Sequence, residues 1–301
     1  MSSESFSTAP PKDTGLVALK VRAVHAVSAL IMPVVSKAAR NHFAGESLEE
    51  ALRVAEKWGA GRYSSTIGYW DKEDCTSREV ADHYIAAIKR AATKNLDIYI
   101  SIKPPALHYN LSLADDLAAV ANATRMRLHF DSHGTDTVDR SNAMLDAMAQ
   151  TMGYEKLSTT LPGRWKRSLT DIDWAIGRQL RVRVVKGQWP DPKDYTRDPR
   201  KGFLQLIDQL AGRVPHIGIA THDMALAKEA LAKLRTTATS FELEQILGLT
   251  SDRFLKWAHE NGIPVRIYVP FGKGYLPNAV GVMKRNPRLA LKVIQNLFSA
   301  S

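Results

Sequence analysis

Short apolar runs alternate with stretches of helical spacing along most of the chain, starting near Gly45. Runs rich in β-branched and aromatic residues predict strands, and apolar residues three and four apart predict helices. The predicted strands are Tyr63–Tyr69, Ile98–Ile102, Met126–Phe130, Lys156–Leu161, Val182–Val185, His216–Ala220, Thr239–Leu243 and Val265–Val269. The predicted helices are Ser77–Thr93, Ala114–Ala123, Asp136–Thr151, Ser168–Arg178, Pro199–Ala211, Met224–Leu234, Asp252–Asn261 and Tyr275–Arg285. Strands that alternate with helices favour a parallel sheet.

Eight strand–helix units predict an α/β fold, a (βα)8 TIM-type barrel with N-terminal helices. An open doubly wound sheet shows the same alternation, but no glycine-rich dinucleotide turn follows the first predicted strand. We expect a disordered tail at residues 1–14, helices within residues 15–60 and the barrel domain at residues 61–301. The apolar run Ala23–Val35 is shorter than the ~20 residues that span a bilayer.

The composition excludes several classes of protein. The 301 residues contain one cysteine, Cys75, so a single chain cannot form an internal disulfide, a thiolate zinc site or a cysteine-ligated iron–sulfur cluster. Lys and Arg number 41 against 31 Asp and Glu, which gives a net charge of +10. Such an excess suits nucleic acid, an anionic membrane surface or a phosphate-rich ligand. Because the basic residues are scattered and accompany no DNA- or RNA-binding motif, we expect no nucleic-acid partner.

Polar side chains concentrate where the predicted strands end, the edge at which (βα)8 barrels carry their sites. They are Lys103, Asp131, His133, Arg164, Arg183, Lys186, Thr221, His222, Asp223, Glu242, Glu244, Arg266 and Tyr268. One interpretation is a metal-dependent hydrolase, since His129, Asp131 and His133 are spaced two apart and, with His222, offer ligands for a divalent metal. Against it, His129 falls inside the predicted strand and could lie within the barrel wall.

The second interpretation is anion binding combined with redox chemistry. Arg183 and Lys186 surround one strand end, and Gly187 allows a planar or phosphate-bearing group to approach the backbone. Because arginine keeps its charge when desolvated, Arg183 could lie beside a ring that becomes negative on reduction. The alternative is a pair of solvated cations at a strand end.

Seven segments, in chain order, resemble the proline dehydrogenase family of flavin-dependent (βα)8 barrels. They are AGESLEEALRVAEK (Ala44–Lys57), SIKPPALHY (Ser101–Tyr109), RLHFDS (Arg127–Ser132), RVRVVKGQW (Arg181–Trp189), IATHD (Ile219–Asp223), FELEQILG (Phe241–Gly248) and VRIYVPFGKGYLPNAVGVMKRNP (Val265–Pro287). The resemblance implies FAD as cofactor. It also implies removal of hydride from the carbon beside the nitrogen of proline, a proline derivative or another cyclic or secondary amine, giving an imine.

The resemblance further implies roles for single residues. The expected catalytic residues are Lys103, Asp131, Arg183 and Tyr268. The expected FAD-binding residues are Arg183, Val185, Lys186, Gly187, Trp189, Thr221 and His222. The expected substrate-binding residues are Lys103, Arg164, Glu244 and Tyr268.

The chain departs from the family where that family holds the substrate carboxylate. The family's adjacent arginine pair aligns with Gly281 and Val282, while Lys284 and Arg285 lie further along the chain. A strand-seven glutamine aligns with Glu244, which adds negative charge. A bidentate arginine–carboxylate pair contributes both charge and geometry. We therefore expect a substrate other than plain proline, or a carboxylate held differently, by Arg164 or by Lys284 and Arg285.

The expected partners follow from the same resemblance. They are a small amine or imino acid as substrate and a quinone or another electron acceptor. The basic charge beside an apolar N-terminal segment suggests peripheral contact with an anionic membrane. We expect a cytoplasmic protein that contacts the inner face of a membrane, and the residues favour no particular oligomeric state.

Overall fold

The computed structural model describes residues 42–275. Eight parallel strands form a closed barrel in chain order, and the last strand pairs with the first. The strands are β1 Ser64–Tyr69, β2 Ile98–Ile102, β3 Arg127–Phe130, β4 Leu157–Pro162, β5 Arg181–Val185, β6 His216–Ala220, β7 Ser240–Ile246 and β8 Val265–Phe271. The (βα)8 barrel is confirmed, and the open doubly wound alternative is wrong.

Within residues 42–275, one helix precedes the barrel and a helix follows each of the strands β1 to β7. The helices are α1 Leu48–Ala60, α2 Ser77–Ala92, α3 Leu111–Ala123, α4 Val138–Met152, α5 Ser168–Gly177, α6 Pro199–Leu210, α7 Met224–Leu234 and α8 Asp252–Glu260. Short 3₁₀ turns lie at Pro104–Leu107, Thr135–Thr137 and Tyr154–Lys156. The predicted helix Tyr275–Arg285 and the predicted tail at residues 1–14 lie outside the described residues, so the domain boundaries stay predictions.

Sequence-local signals explain where the first two helices begin. Ser47 caps α1 and Thr76 caps α2, and in both cases the glutamate three residues later, Glu50 or Glu79, accepts a hydrogen bond from the backbone N–H of the cap residue. Such reciprocal caps satisfy N–H groups that the first helical turn leaves without partners. Within residues 42–275, no helix is both long enough and apolar enough to cross a membrane.

The two faces of the strands differ in chemistry. The outward face is apolar and packs against the helices, with fully buried Ile67, Ile100, Leu128, Val184 and Ile217. Period-two alternation turns the intervening residues into the barrel. Barrel interiors are commonly filled by branched apolar layers, but here charged and hydroxyl side chains fill much of the space. Because buried charge is costly unless it is paired, each inward charge needs a partner from another strand.

A lower charged layer lies near the amino ends of the strands. Arg266 Nε donates to Glu242 Oε1 at 2.8 Å, and the Tyr99 hydroxyl donates to the same oxygen at 2.8 Å. Arg266 also reaches Asp97 at 2.8 Å, and its guanidinium lies 3.7 Å from the Tyr99 ring centre. The grouping of Glu242 and Arg266 with the strand-end residues was therefore wrong. Glu242 lies two residues before Glu244, and Arg266 lies two residues before Tyr268, on the inward faces of β7 and β8. There they stabilise the end of the barrel at which the strands begin.

Candidate active site

Arg183 is the centre of the upper charged layer. It projects from β5 and is 6% exposed. Its Nε donates to Glu244 on β7 at 2.5 Å, and one terminal nitrogen donates to Asp131 after β3 at 2.9 Å. The other terminal nitrogen lies 3.5 Å from the Thr66 hydroxyl on β1. Two carboxylates therefore pair with one buried guanidinium, and groups from β1, β3 and β7 converge on it.

Asp131 links this arginine to two further predicted site residues. Its Oδ2 accepts a hydrogen bond from the Tyr268 hydroxyl at 3.0 Å and lies 3.9 Å from Lys103 Nζ. Burial opposes ionisation of Asp131, but the positive charges of Lys103 and Arg183 outweigh it and lower its pKa to about 2. Asp131 is therefore a carboxylate at neutral pH. The expected Lys103–Asp131 pair is present, although Arg183 and Tyr268 lie closer to the carboxylate.

Lys103 is held by groups that the sequence analysis did not identify. Its ammonium donates to the Tyr69 carbonyl oxygen and lies 4.5 Å from the centre of the Trp70 ring. Its backbone N–H donates to the buried Tyr84 hydroxyl at 3.0 Å. Burial lowers the pKa of the Lys103 ammonium, while the charges of Asp131 and Asp71 act in the opposite direction. The signal in the sequence was a lysine directly after an apolar strand, which needs nearby acceptors.

Two strand glycines make room for the upper layer. A Cβ at Gly68 would overlap the Tyr268 hydroxyl, and a Cβ at Gly218 would overlap the Glu244 carboxylate. Glycine within a strand often marks such a close approach. The sequence analysis missed both positions, although each interrupts a β-rich run.

A basic cradle, formed by Arg164, Lys186 and Gly187, lies where β4 and β5 end. The chain leaving β4 stays paired with β5, since Arg164 N–H donates to the Lys186 carbonyl at 3.0 Å. Gly187 has φ +94°, and a Cβ there would lie 2.9 Å from Pro162. Arg164 Nε is buried without a hydrogen-bond partner, and among the described residues the Lys186 ammonium makes neither an ion pair nor a hydrogen bond. Two cations thus remain available beside a compact turn.

The end of β6 is joined to β7 by Gln245, another residue that the sequence analysis missed. The Gln245 amide donates to the Thr221 carbonyl, and its oxygen lies 2.8 Å from His222 Nδ1. Asp223 caps α7 by accepting from two backbone N–H groups. The carboxylate that follows Thr221 and His222 therefore stabilises a helix start. Trp189 is 37% exposed, and its carbonyl accepts from the Trp165 indole at 2.9 Å.

The metal interpretation gains no support. His129 is 1% exposed inside the barrel, with its two ring nitrogens 2.7 Å from the hydroxyls of Ser158 and Thr160. Burial lowers the pKa of His129 well below its usual value, and β4 occupies both of its nitrogens. In residues 42–275 no three His, Cys, Asp or Glu side chains are arranged to hold a metal ion. The grouping of His129, Asp131, His133 and His222 as ligands is not supported, because His129 contacts the β4 hydroxyls, Asp131 accepts from Arg183 and Tyr268, and His222 contacts Gln245. Gly281, Val282, Lys284 and Arg285 lie outside the described part of the chain.

Comparisons with known proteins show which proteins this chain resembles. No family model matches the chain. A curated proline dehydrogenase from Deinococcus radiodurans is 23% identical over 279 residues, which cover 86% of this chain and 90% of that protein. Proline utilization A (PutA) from Bdellovibrio bacteriovorus matches with a TM-score of 0.72 at 14% identity, over 82% of this chain and 32% of that one. A Bradyrhizobium japonicum PutA variant matches with a TM-score of 0.68 at 21% identity, over 85% and 31% respectively.

The PutA structures show the shared fold, and this chain spans about a third of their length. Its class is that of a (βα)8 barrel with a buried ion-pair network at the carboxyl ends of its strands. Similarity along most of both chains then makes the assignment more specific. The chain is similar to a proline dehydrogenase along most of its length.

Proposed function

We propose that the protein is an FAD-dependent oxidoreductase that removes hydride from the carbon beside the nitrogen of proline, a proline derivative or a related cyclic amine. One observation carries the proposal. The predicted catalytic residues Lys103, Asp131, Arg183 and Tyr268 come from different strands and meet in one buried network. The chain that contains it aligns along most of its length with a proline dehydrogenase.

The basic cradle fits a cofactor that carries a pyrophosphate. Lys186 and Arg164 supply positive charge without internal ion pairs, and the positive φ of Gly187 gives a turn that a side chain would strain. Unpaired cations beside exposed turn backbone are the groups that bind phosphate oxygens in proteins. Val185, Thr221, His222 and Trp189 lie on the adjoining strand ends and loop, where we propose that they contact the same cofactor.

When bound, FAD supplies the two-electron acceptor for the hydride. The chain's own residues position the substrate and balance charge. Ionised Asp131 accepts from Arg183 and Tyr268 and so fixes both side chains. A guanidinium has five N–H donors, and three of these face Glu244, Asp131 and Thr66. The remaining donors are available to a ligand.

Glu244 makes the upper layer less positive than the family pattern implies. Lys103 and Arg183 face Asp131 and Glu244, so two positive charges meet two negative ones. A site with this balance attracts a free carboxylate less than a site with surplus cations does. We therefore propose a substrate that depends on its amine more than on its carboxylate, and Arg164 stays the predicted partner for an acid group. We propose a quinone or another small acceptor as the oxidant.

Anaerobic reduction tests the proposed function directly. The purified full chain should bind FAD and show flavin absorbance that bleaches on addition of L-proline or pyrrolidine. Asp131→Asn should slow the bleaching severalfold or more, because it weakens the contact that orients Arg183. Asp139→Asn is the matched control, since Asp139 is an exposed aspartate on α4. A protein that takes up no FAD, or whose flavin no amine reduces, would refute the proposal.

A further inference from the structure

Hydrogen-bonding capacity is unevenly distributed around the carboxyl ends of the strands. On the side of β5 to β8, Arg183, Glu244 and Tyr268 are engaged with each other or with Asp131. On the side of β1 to β3, the hydroxyls of Ser65 and Ser101 lack partners among the described residues, and so do two buried ring nitrogens beyond the strand ends, the indole Nε1 of Trp70 and Nε2 of His133. A buried polar group without a partner costs on the order of 1–3 kcal/mol. Two such atoms near one site indicate that a ligand completes their hydrogen bonds.

These two atoms flank Lys103. Trp70 follows β1 directly, Lys103 follows β2 directly and His133 lies in the loop after β3, so three neighbouring strands carry them. The Lys103 ammonium lies 4.5 Å from the Trp70 ring centre, and its charge also acts on His133. The groups therefore face one region beside the predicted catalytic residues.

The chemistry of the two atoms is complementary. An indole N–H can only donate, so Trp70 requires an acceptor oxygen. Burial lowers the pKa of His133 to about 4, which leaves a neutral imidazole that can accept through one nitrogen at pH 7. Each oxygen of neighbouring Asp131 already accepts one hydrogen bond, from Arg183 or from Tyr268. His133 offers an acceptor that no described donor uses.

We propose that His133 and Trp70 determine substrate specificity, with His133 Nε2 accepting from the substrate N–H and Trp70 Nε1 donating to its carboxylate oxygen. The inference rests on the proposed function and extends it to an imino acid that carries both groups. It also supplies a carboxylate contact in a chain with Gly281 and Val282 where the family resemblance expects an arginine pair.

Three probes separate the two contacts. L-Proline has both groups, and pyrrolidine has only the N–H. Cyclopentanecarboxylate has only the carboxylate, and because it contains no nitrogen it can bind but cannot be oxidised to an imine. Calorimetry on the FAD-loaded protein measures binding of cyclopentanecarboxylate, and anaerobic stopped-flow reduction gives Kd and the limiting rate for the two amines. His133→Leu should weaken L-proline and pyrrolidine about tenfold or more and leave cyclopentanecarboxylate unchanged. Trp70→Phe should weaken L-proline and cyclopentanecarboxylate and leave pyrrolidine unchanged.

Control variants test whether these effects are specific. Exposed His259 and half-buried Trp257 on α8 serve as matched positions away from the site, and His259→Leu and Trp257→Phe should change none of the three affinities. His133→Gln keeps an acceptor and should recover part of the pyrrolidine affinity, which a purely structural role would not produce. Thermal unfolding checks that each variant is folded.

The outcomes distinguish this inference from the proposed function. If the wild-type flavin bleaches but each variant shifts all three probes equally or not at all, the assignment of His133 and Trp70 is wrong. If neither amine reduces the wild-type flavin, the proposed function fails, and calorimetry with pyrrolidine and cyclopentanecarboxylate still decides the inference. Equal effects of His133→Leu and Trp70→Phe on the binding of those two ligands would overturn it.

Discussion

At the scale of single residues, the Arg183–Glu244 pair shows how the site depends on compensation. Both side chains are 6% exposed and joined at 2.5 Å. Removing one partner of a buried pair leaves an uncompensated charge and typically costs about 3–5 kcal/mol. We expect Glu244→Ala to lower the free energy of unfolding by about that amount in denaturant titration. Glu229→Ala, which breaks the half-exposed pair with Arg200, should cost less than about 1 kcal/mol. Equal losses would show that the buried pair contributes no more than a surface one.

Gly218, on the strand β6 between the two partners, provides a second test of the same pair. A methyl group there would displace the Glu244 carboxylate and lengthen its bond to Arg183. We expect Gly218→Ala to destabilise the protein and to reduce its affinity for FAD or substrate. Gly177→Ala is the matched control, because no atom lies within 4 Å of the added Cβ at the end of α5. An unchanged Gly218→Ala variant would contradict the close approach.

His133 links this residue scale to pH. Burial lowers its pKa from the usual 6.5 to about 4 in the folded protein. Between those values the unfolded chain binds more protons, so stability falls as the pH drops from about 6.5 towards 4. Over this pH window the neutral His133 lowers the free energy of unfolding by about 3 kcal/mol. His133→Asn should flatten this part of the stability–pH curve in denaturation series, whereas His259→Asn, at an exposed position, should leave it unchanged. If the stability–pH curve of His133→Asn keeps the wild-type slope, the lowered pKa assigned to His133 is wrong.

At the scale of elements, the turn after β5 is the part of the fold that we expect to control cofactor affinity. Lys186 has no ion pair among the described residues, so a bound phosphate would be its main partner. A charge-assisted hydrogen bond contributes about 1.5 kcal/mol or more. Lys186→Met should therefore raise the FAD dissociation constant about tenfold, as measured by fluorescence quenching. Exposed Lys166 in the neighbouring loop is the matched position, and Lys166→Met should have little effect.

The elements also show which information the sequence contains. All eight strands were predictable because their outward residues, such as Ile98, Ile100 and Ile102, are apolar at alternate positions and mark each strand clearly. The depth of an inward residue was not predictable. Glu242 and Glu244 share one face of β7, yet one pairs with Arg266 at the bottom and the other with Arg183 in the site. Depth depends on the stagger between strands, which one strand's pattern does not contain.

Contacts to the backbone were similarly hidden from sequence reasoning. Lys103 was recognisable, but its acceptor is the carbonyl of Tyr69, a group that every residue has. Gln245 joins Thr221 to His222 through one amide, and nothing in the apolar pattern around it marks that role. Residue type therefore predicted which groups carry chemistry, whereas cross-strand geometry decided how they are held.

At the scale of the whole molecule, most of the net charge of +10 belongs to residues 1–41 and 276–301. Residues 1–41 carry +3 and residues 276–301 carry +4, which leaves +3 for residues 42–275. The described barrel is therefore close to neutral for its size. A basic segment next to an anionic lipid surface gains about 1 kcal/mol per Lys or Arg, and the attraction falls off within a Debye length.

This distribution predicts peripheral membrane contact through the chain ends. The full chain should sediment with vesicles containing phosphatidylserine and much less with phosphatidylcholine vesicles. Salt at 0.5 M should release it, because added salt shortens the Debye length towards the value of about 3 Å at 1 M. Replacing Lys284, Arg285, Arg288 and Lys292 by Gln should reduce binding at least tenfold. The control replaces the same number of lysines within residues 42–275, Lys72, Lys166, Lys201 and Lys256, all exposed. If both variants bind equally, net charge alone attracts the protein to lipid. If neither the wild type nor the variants bind, the prediction of membrane contact is wrong, and the electron acceptor must reach the barrel from solution.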